Sequence, residues 1–245
     1  MNRPVILVTG GESGIGLAIC RRFVRDGYRV VIGGKDASKG KRAAAALGGE
    51  GHAVFMKADV RDEKKVRNLI RQVIRLCGRL DVLCNNAGIG KFAAIENASR
   101  ADWDDVLSVN VGGPFLCTKH ALPHLKKSRG SIINIASIAG LAGYARGAAY
   151  CASKAALIML TKVSALEAAA ARVRVNCICP GATRTSMIPP RELKTLPQRI
   201  PLGRIAEPED VAETAFFLAS LAARHITGGV FVVDGGGTAG RVRLA

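Results

Sequence analysis

Tyr150 and Lys154 stand four residues apart in AAYCASKAAL, among small and apolar side chains. On a helix, that spacing puts both on one face. A free phenol has a pKa of about 10 and a lysine ammonium about 10.4. An ammonium beside a phenol favours phenolate and so lowers the tyrosine pKa. A phenol shifted that way can exchange a proton with an alcohol or carbonyl oxygen. The same spacing also fits a tyrosine on a helix flank and a lysine in solvent, so the rest of the chain has to decide.

The stretch VTGGESGIG places Gly10, Gly14 and Gly16 where an apolar run gives way to a helical period. Glycines there let the backbone turn tightly and approach a ligand, and a helix N-terminus offers free N–H groups to a pyrophosphate. Further motifs follow in order: DV at Asp59–Val60, NNAG at Asn85–Gly88, YCASK at Tyr150–Lys154 and PGATRT at Pro180–Thr185. Asn110 in SVNVGG, Ser137 in NIAS and the closing VVDGG join them. With these features in this order, the chain resembles the short-chain dehydrogenase/reductase family over essentially its whole length. Within it, the resemblance is to 3-oxoacyl-reductase-like and related alcohol/ketone oxidoreductases.

The resemblance implies a role for each matching position. Gly10, Ser13, Gly14, Ile15 and Gly16 would line the pyrophosphate turn. Asp59 and Val60 would hold the adenine, with Asn86, Ala87 and Gly88 beside the adenosine half. Tyr150 would be the acid/base, and Lys154 would lower its pKa and hold the nicotinamide ribose. Ser137 would hydrogen-bond the substrate oxygen, and Asn110 would anchor a water linking Lys154 to solvent. Thr185, with Pro180, Gly181 and Thr183, would orient the carboxamide. Structural roles compete at three positions: Ser137 as a cap after a strand, Asn110 as a polar group at a helix kink, and Asp59 as a helix cap, for which Asp62 is better placed. The resemblance also implies a homotetramer or homodimer and a small alcohol or carbonyl substrate.

The second apolar run ends VVIGGKD. A carboxylate at that end hydrogen-bonds an adenosine 2′-hydroxyl and repels a 2′-phosphate. Gly33, Gly34 and Lys35 stand there instead, with Lys39, Lys41 and Arg42 adding positive field. The expectation is therefore NADP(H) in preference to NAD(H), with Lys35 on the 2′-phosphate. Ser13, where many phosphate-preferring relatives carry arginine, and the acids Glu12 and Asp36 weigh against it.

These residues need a frame to hold them. Short continuous apolar runs alternate with helical periods, the signature of a parallel sheet covered on both faces. The reading is α/β: one Rossmann-type doubly wound domain over 1–245, with about seven strands. Residues 62–77 form an amphipathic helix with Val66, Leu69, Ile70, Val73, Ile74 and Cys77 on its apolar face. Ser38 is read as the cap of the preceding helix and Gly48 as its stop. A helix over 103–124 is interrupted near GGP, and another runs over 148–170. Segment 183–204, with four prolines, is read as a substrate loop or lid. Substrate choice is assigned to it, to Ala139, Leu141, Ala142 and Tyr144, and to 89–95.

With 245 residues and 49% hydrophobic composition, the chain can bury a full core. No secretory pattern or apolar run of about 18 residues is evident, so the reading is cytoplasmic and not membrane-bound. Seven scattered cysteines argue against a disulfide framework. Cys177 and Cys179 are read as pointing to opposite faces of a strand, unsuited to a metal or redox pair. His52, His120, His124 and His225 lack metal-ligand spacing, so no metal is expected. The formal charge is +17. Lys64, Arg67, Arg71, Arg75 and Arg79 make a basic stripe opposite the apolar face, read as a solvated surface. With aromatics at 4%, nucleic acid is disfavoured as a partner. The alternative function is a non-catalytic dinucleotide sensor, or a protein that binds an anionic partner.

Overall fold

A computed structural model describes residues 3–240; positions 1–2 and 241–245 of the expected domain lie outside the described residues. Seven parallel strands form one sheet: β1 (Val5–Thr9), β2 (Arg29–Gly34), β3 (Ala53–Lys57), β4 (Val82–Asn85), β5 (Ser131–Ile135), β6 (Arg174–Pro180) and β7 (Val230–Val233). Their order is β3-β2-β1-β4-β5-β6-β7. The continuous apolar character of the strands has a direct cause. Side chains alternate faces along a strand, and both faces are covered. Ile6, Val8, Val30 and Ile32 pack with Phe23 of α1 (Gly14–Arg25), Ala43 of α2 (Ala37–Ala46), and Val211 and Leu218 of α7 (Pro208–Ala219). Val5, Leu7, Val31 and Leu83 pack instead with Leu69 of α3 (Glu63–Cys77), Leu125 of α5 (Gly113–Ser128) and Ala168 of α6 (Ala148–Ala168).

Helix ends follow local chemistry. The Asp62 carboxylate caps α3 by accepting from Lys65 N–H at 3.1 Å, and Gly78, at φ 75°, stops it. Asp36, not Ser38, caps α2, accepting from Lys39 N–H at 2.9 Å. The helix starts two residues earlier than expected, which moves Ser38 inside it, where its hydroxyl accepts from Arg42. The interruption near GGP is real: α4 (Arg100–Leu107) passes into a π-helical turn, Ser108–Gly112, before α5 begins with Pro114 in its first turn.

Two expectations need correction. Residues two apart on a strand share a face, so Cys177 and Cys179 lie on the same side of β6. Both pack with Ala136, Leu157 and Ile158, and their thiols interact. In addition, Ala148–Ala171, comprising α6 and the turn after it, is long and apolar enough by composition to cross a membrane. Here it packs against the sheet and buries Ser153, Lys154 and Thr161.

Candidate active site

Strand order reverses direction between β1 and β4, and the crevice at their carboxyl ends is where ligands enter such sheets. A cavity of about 1160 Å³ opens there. Gly10, Ser13, Gly14, Ile15, Gly16, Lys35, Asp59, Val60, Asn86, Ala87, Gly88, Ser137, Tyr150, Lys154, Pro180, Gly181, Thr183 and Thr185 all line it. The loop after β1 is held by the side chains of Thr9, at the end of β1, and Asn86, just after β4. The Thr9 hydroxyl accepts from the N–H groups of Asn86 and Ala87, each at 3.1 Å. Asn86 Nδ2 donates to the Thr9 and Gly10 carbonyls, each at 3.0 Å. Gly10 has φ 63°, and a β-carbon on Gly16 would collide with the Gly10 carbonyl. Ser13 makes no side-chain cap to α1, and no acid occupies the first turn. The N–H groups of that turn therefore face the cavity end uncompensated, a setting that suits a pyrophosphate.

Asp59 is not a helix cap. Arg61 grips its carboxylate, with Nη2 at 2.7 Å, and also reaches Asp105 at 2.7 Å. The Arg61 hydrogen bonds hold the Asp59 carboxyl below its usual range despite partial burial. Lys35 is exposed at the rim, and Glu12 from the glycine loop lies beside Gly34.

The π-helical turn presents Asn110, fully buried, to the segment after β4. Asn110 Oδ1 accepts from Ile89 N–H, and Nδ2 donates to the Ile89 carbonyl, each at 2.9 Å. Nδ2 also donates to Ser153 Oγ at 3.0 Å, and Ser153 Oγ donates to the Tyr150 carbonyl at 2.7 Å. Lys154 is 4% exposed, and its Nζ donates to the Ile135 carbonyl at 2.8 Å. Burial pulls its pKa down to about 8. Nζ lies 5.6 Å from the Tyr150 ring centre.

Tyr150 departs from the sequence expectation. Burial pushes its pKa up, and the Ser137 side chain offsets part of that rise. The Lys154 ammonium does not dominate. Ser137 does act as a cap, its Oγ accepting from Ala139 N–H at 3.1 Å, but it also faces the cavity. The cap and cavity positions are compatible because hydroxyls both donate and accept.

Segment 183–204 is not a long helix: it holds the short 3-10 turns Pro190–Glu192 and Leu196–Arg199. Its base is pinned by a bridge between Thr183 and Ala206, with Arg184 N–H donating to the Ala206 carbonyl at 2.8 Å. Ala139, Ala142 and Tyr144 line the cavity, whereas Leu141 faces outward at 47% exposure. The 89–95 segment assigned to substrate choice reaches the cavity through Ile89 and Phe92, and the Phe92 ring meets Tyr150 edge-on at 5.6 Å and lies 6.0 Å from Tyr144. Sequence reasoning missed Ser153 as a link and Thr238 as a lining residue. Among the described residues no cluster of three or more His, Cys, Asp or Glu side chains could hold a metal ion.

Residues 10–238 match a family model described as enoyl-(acyl carrier protein) reductase. The chain is 40% identical over 241 residues to meso-2,3-butanediol dehydrogenase of Serratia marcescens, covering 97% of this chain and 96% of the relative. It is 38% identical over 241 residues to a 3-oxoacyl-[acyl-carrier-protein] reductase of Thermotoga maritima, covering 95% and 96%. A crystal structure of a short-chain type dehydrogenase/reductase from Mycobacterium marinum superposes with a TM-score of 0.91 at 30% identity, covering 96% of this chain and 95% of that one. The chain belongs to the short-chain dehydrogenase/reductase family. As a member of that family it is an oxidoreductase, and relatives named as dehydrogenases act on CH–OH groups. In this short-chain dehydrogenase/reductase the glycine loop, the Asn110 turn and α6 meet at one cavity. That convergence explains how residues far apart in sequence can serve one nicotinamide dinucleotide.

Proposed function

We propose that this chain transfers a hydride between a nicotinamide dinucleotide and a secondary alcohol or its ketone, with Tyr150 as acid/base. One observation carries the reading: Lys154 is buried within one turn of Tyr150, in a cavity that also holds Ser137. Burying an ammonium is costly, and placing it one turn from a phenol serves proton transfer beyond any hold on the ribose. This weighs against the dinucleotide-sensor alternative.

The cradle suits the cofactor: a β-carbon on Gly10 would come within 3.0 Å of the Ala87 Cα, so only glycine leaves this approach open. Gly10 to Gly16 would hold the pyrophosphate, and Asp59 and Val60 the adenine. Asn86, Ala87 and Gly88 would flank the adenosine, and Pro180, Gly181, Thr183 and Thr185 the carboxamide. The bound nicotinamide supplies or accepts the hydride. Tyr150 Oη gives a proton to the carbonyl oxygen during reduction and takes it back during oxidation. Ser137 Oγ hydrogen-bonds that oxygen and steadies its developing charge. Lys154 favours the phenolate form, and Asn110 holds the Ile89 backbone and Ser153 around the path along which a proton returns to Tyr150. Phe92 and Tyr144 give the substrate side an apolar wall.

Lys35 at the rim supports NADP(H); the Glu12 carboxylate beside Gly34 supports NAD(H), as developed below. We also propose a homotetramer, with a homodimer as the alternative. Phe115 on α5 and Met159, Val163 and Leu166 on α6 are exposed apolar side chains that a second copy would cover. The proposed setting is cytoplasmic, with neither membrane nor nucleic acid as partner. Absorbance of reduced nicotinamide, followed with a panel of secondary alcohols and ketones and both dinucleotides, tests the reading. Dinucleotide-dependent turnover supports it; no turnover across a broad panel, with tight dinucleotide binding, favours the sensor.

A further inference from the structure

The end of β2 lacks a side-chain acid of its own, yet an acid is present there. A β-carbon on Gly34 would meet Glu12, with Oε1 at 2.6 Å and Cδ at 2.7 Å. Gly34 thus leaves a gap that the Glu12 carboxylate fills from the glycine loop. Glu12 Oε2 is buried and has no hydrogen-bond partner among the described residues. A buried carboxylate oxygen without a donor is costly, which points to a donor group that completes it. Glu12 lines the same cavity as Gly34, Lys35 and Asp59.

Two of the basic groups nearby are engaged by other side chains. Lys39 Nζ lies 3.8 Å from Asp36, although its field also reaches Glu12, and Arg42 donates to Ser38 Oγ at 2.7 Å. Lys35 exerts its field on Asp59. Asp36 adds negative charge beside Glu12.

Building on the dinucleotide reading above, we propose that Glu12 is the residue that selects the cofactor: its carboxylate accepts a hydrogen bond from the adenosine 2′-hydroxyl and excludes a 2′-phosphate, so the chain uses NAD(H). A ribose hydroxyl in the cavity supplies a donor to the Glu12 carboxylate that lines it. A 2′-phosphate brings only acceptors and up to two negative charges to the same spot. Lys35 remains an exposed cation that does not outweigh a carboxylate seated in the gap.

Calorimetric titration of the full chain with NADH and NADPH tests this, at fixed salt because exposed charges are screened. Wild-type protein is expected to bind NADH at least about tenfold more tightly, a difference of about 1.4 kcal/mol. Glu12→Gln keeps the shape and removes the charge. It should shrink the NADH preference about tenfold or more, with NADPH binding gaining. A wild-type preference for NADPH overturns the proposal without any variant. So does a preference for NADH that Glu12→Gln leaves unchanged. Failure of both dinucleotides to bind overturns it too, and overturns the dinucleotide reading with it.

Discussion

Asn110 and Ile89 hydrogen-bond in both directions, side-chain amide to backbone, each bond at 2.9 Å. This pairing ties the π-helical turn of one helix to the segment that follows β4. It also fixes the amide so that Nδ2 can reach Ser153 Oγ on α6. One asparagine thereby sets the spacing between the cofactor side and the catalytic helix.

Asn110→Ala leaves the N–H and the carbonyl of the part-buried Ile89 without their side-chain partner. Orphaned buried groups cost about 1–3 kcal/mol each, and part burial puts this pair at the low end of that range. The variant should lose about 2 kcal/mol or more of unfolding free energy in urea, on the same scale. Its kcat should fall more than dinucleotide affinity does. Asn110→Asp keeps the acceptor for Ile89 N–H and should recover part of the stability.

Lys154 gives a pH-dependent stability. Its pKa falls from 10.5 to about 8 in the fold through burial. The conversion is a cost of about 3 kcal/mol on folding. Between those two values the unfolded chain binds more protons, so stability rises with pH across that window; below it the cost is present in full. Lys154→Met removes the charge and loses the bond to the Ile135 carbonyl. The variant should be more stable than wild type at neutral pH, by about 2 kcal/mol once the lost bond is counted. The gap should close as pH rises through the window, as chemical unfolding at several pH values can measure.

The Gly16 approach is equally specific. A methyl group there meets the Gly10 carbonyl and the Asn86 amide. Gly16→Ala should force the loop open, costing about 1–3 kcal/mol as overpacking does. Dinucleotide affinity should drop by an order of magnitude or more in titration, because the loop no longer closes on the pyrophosphate.

Much of this was readable from sequence for a physical reason. Continuous apolar strands such as VILVT mark a sheet buried on both faces, and glycines at a strand–helix junction mark a close approach. Ordered motifs then located Ser137, Tyr150 and Lys154 at one cavity. What escaped depended on three-dimensional neighbours. Gly34 looked like a missing acid because the acid that fills its space, Glu12, is supplied by a different loop. Ser153 carries no signal of its own, because its partner, Asn110, lies 43 positions away. The Tyr150 pKa was expected to fall on the strength of Lys154 alone; burial of the phenol is a tertiary property, and it outweighs that charge. The Cys177–Cys179 misplacement was an error of strand period, and Asp36 displaced Ser38 as cap because α2 begins two residues early.

The central claim is that the Tyr150 hydroxyl moves the substrate proton, and the most direct measurement compares Tyr150→Phe with wild type. Dinucleotide affinity by titration and turnover by reduced-nicotinamide absorbance are read on the same samples. The account predicts affinity within about threefold of wild type, and kcat reduced about 10²–10⁴-fold, the range general acid–base catalysis contributes. A variant that binds the dinucleotide and turns over at the wild-type rate would contradict it.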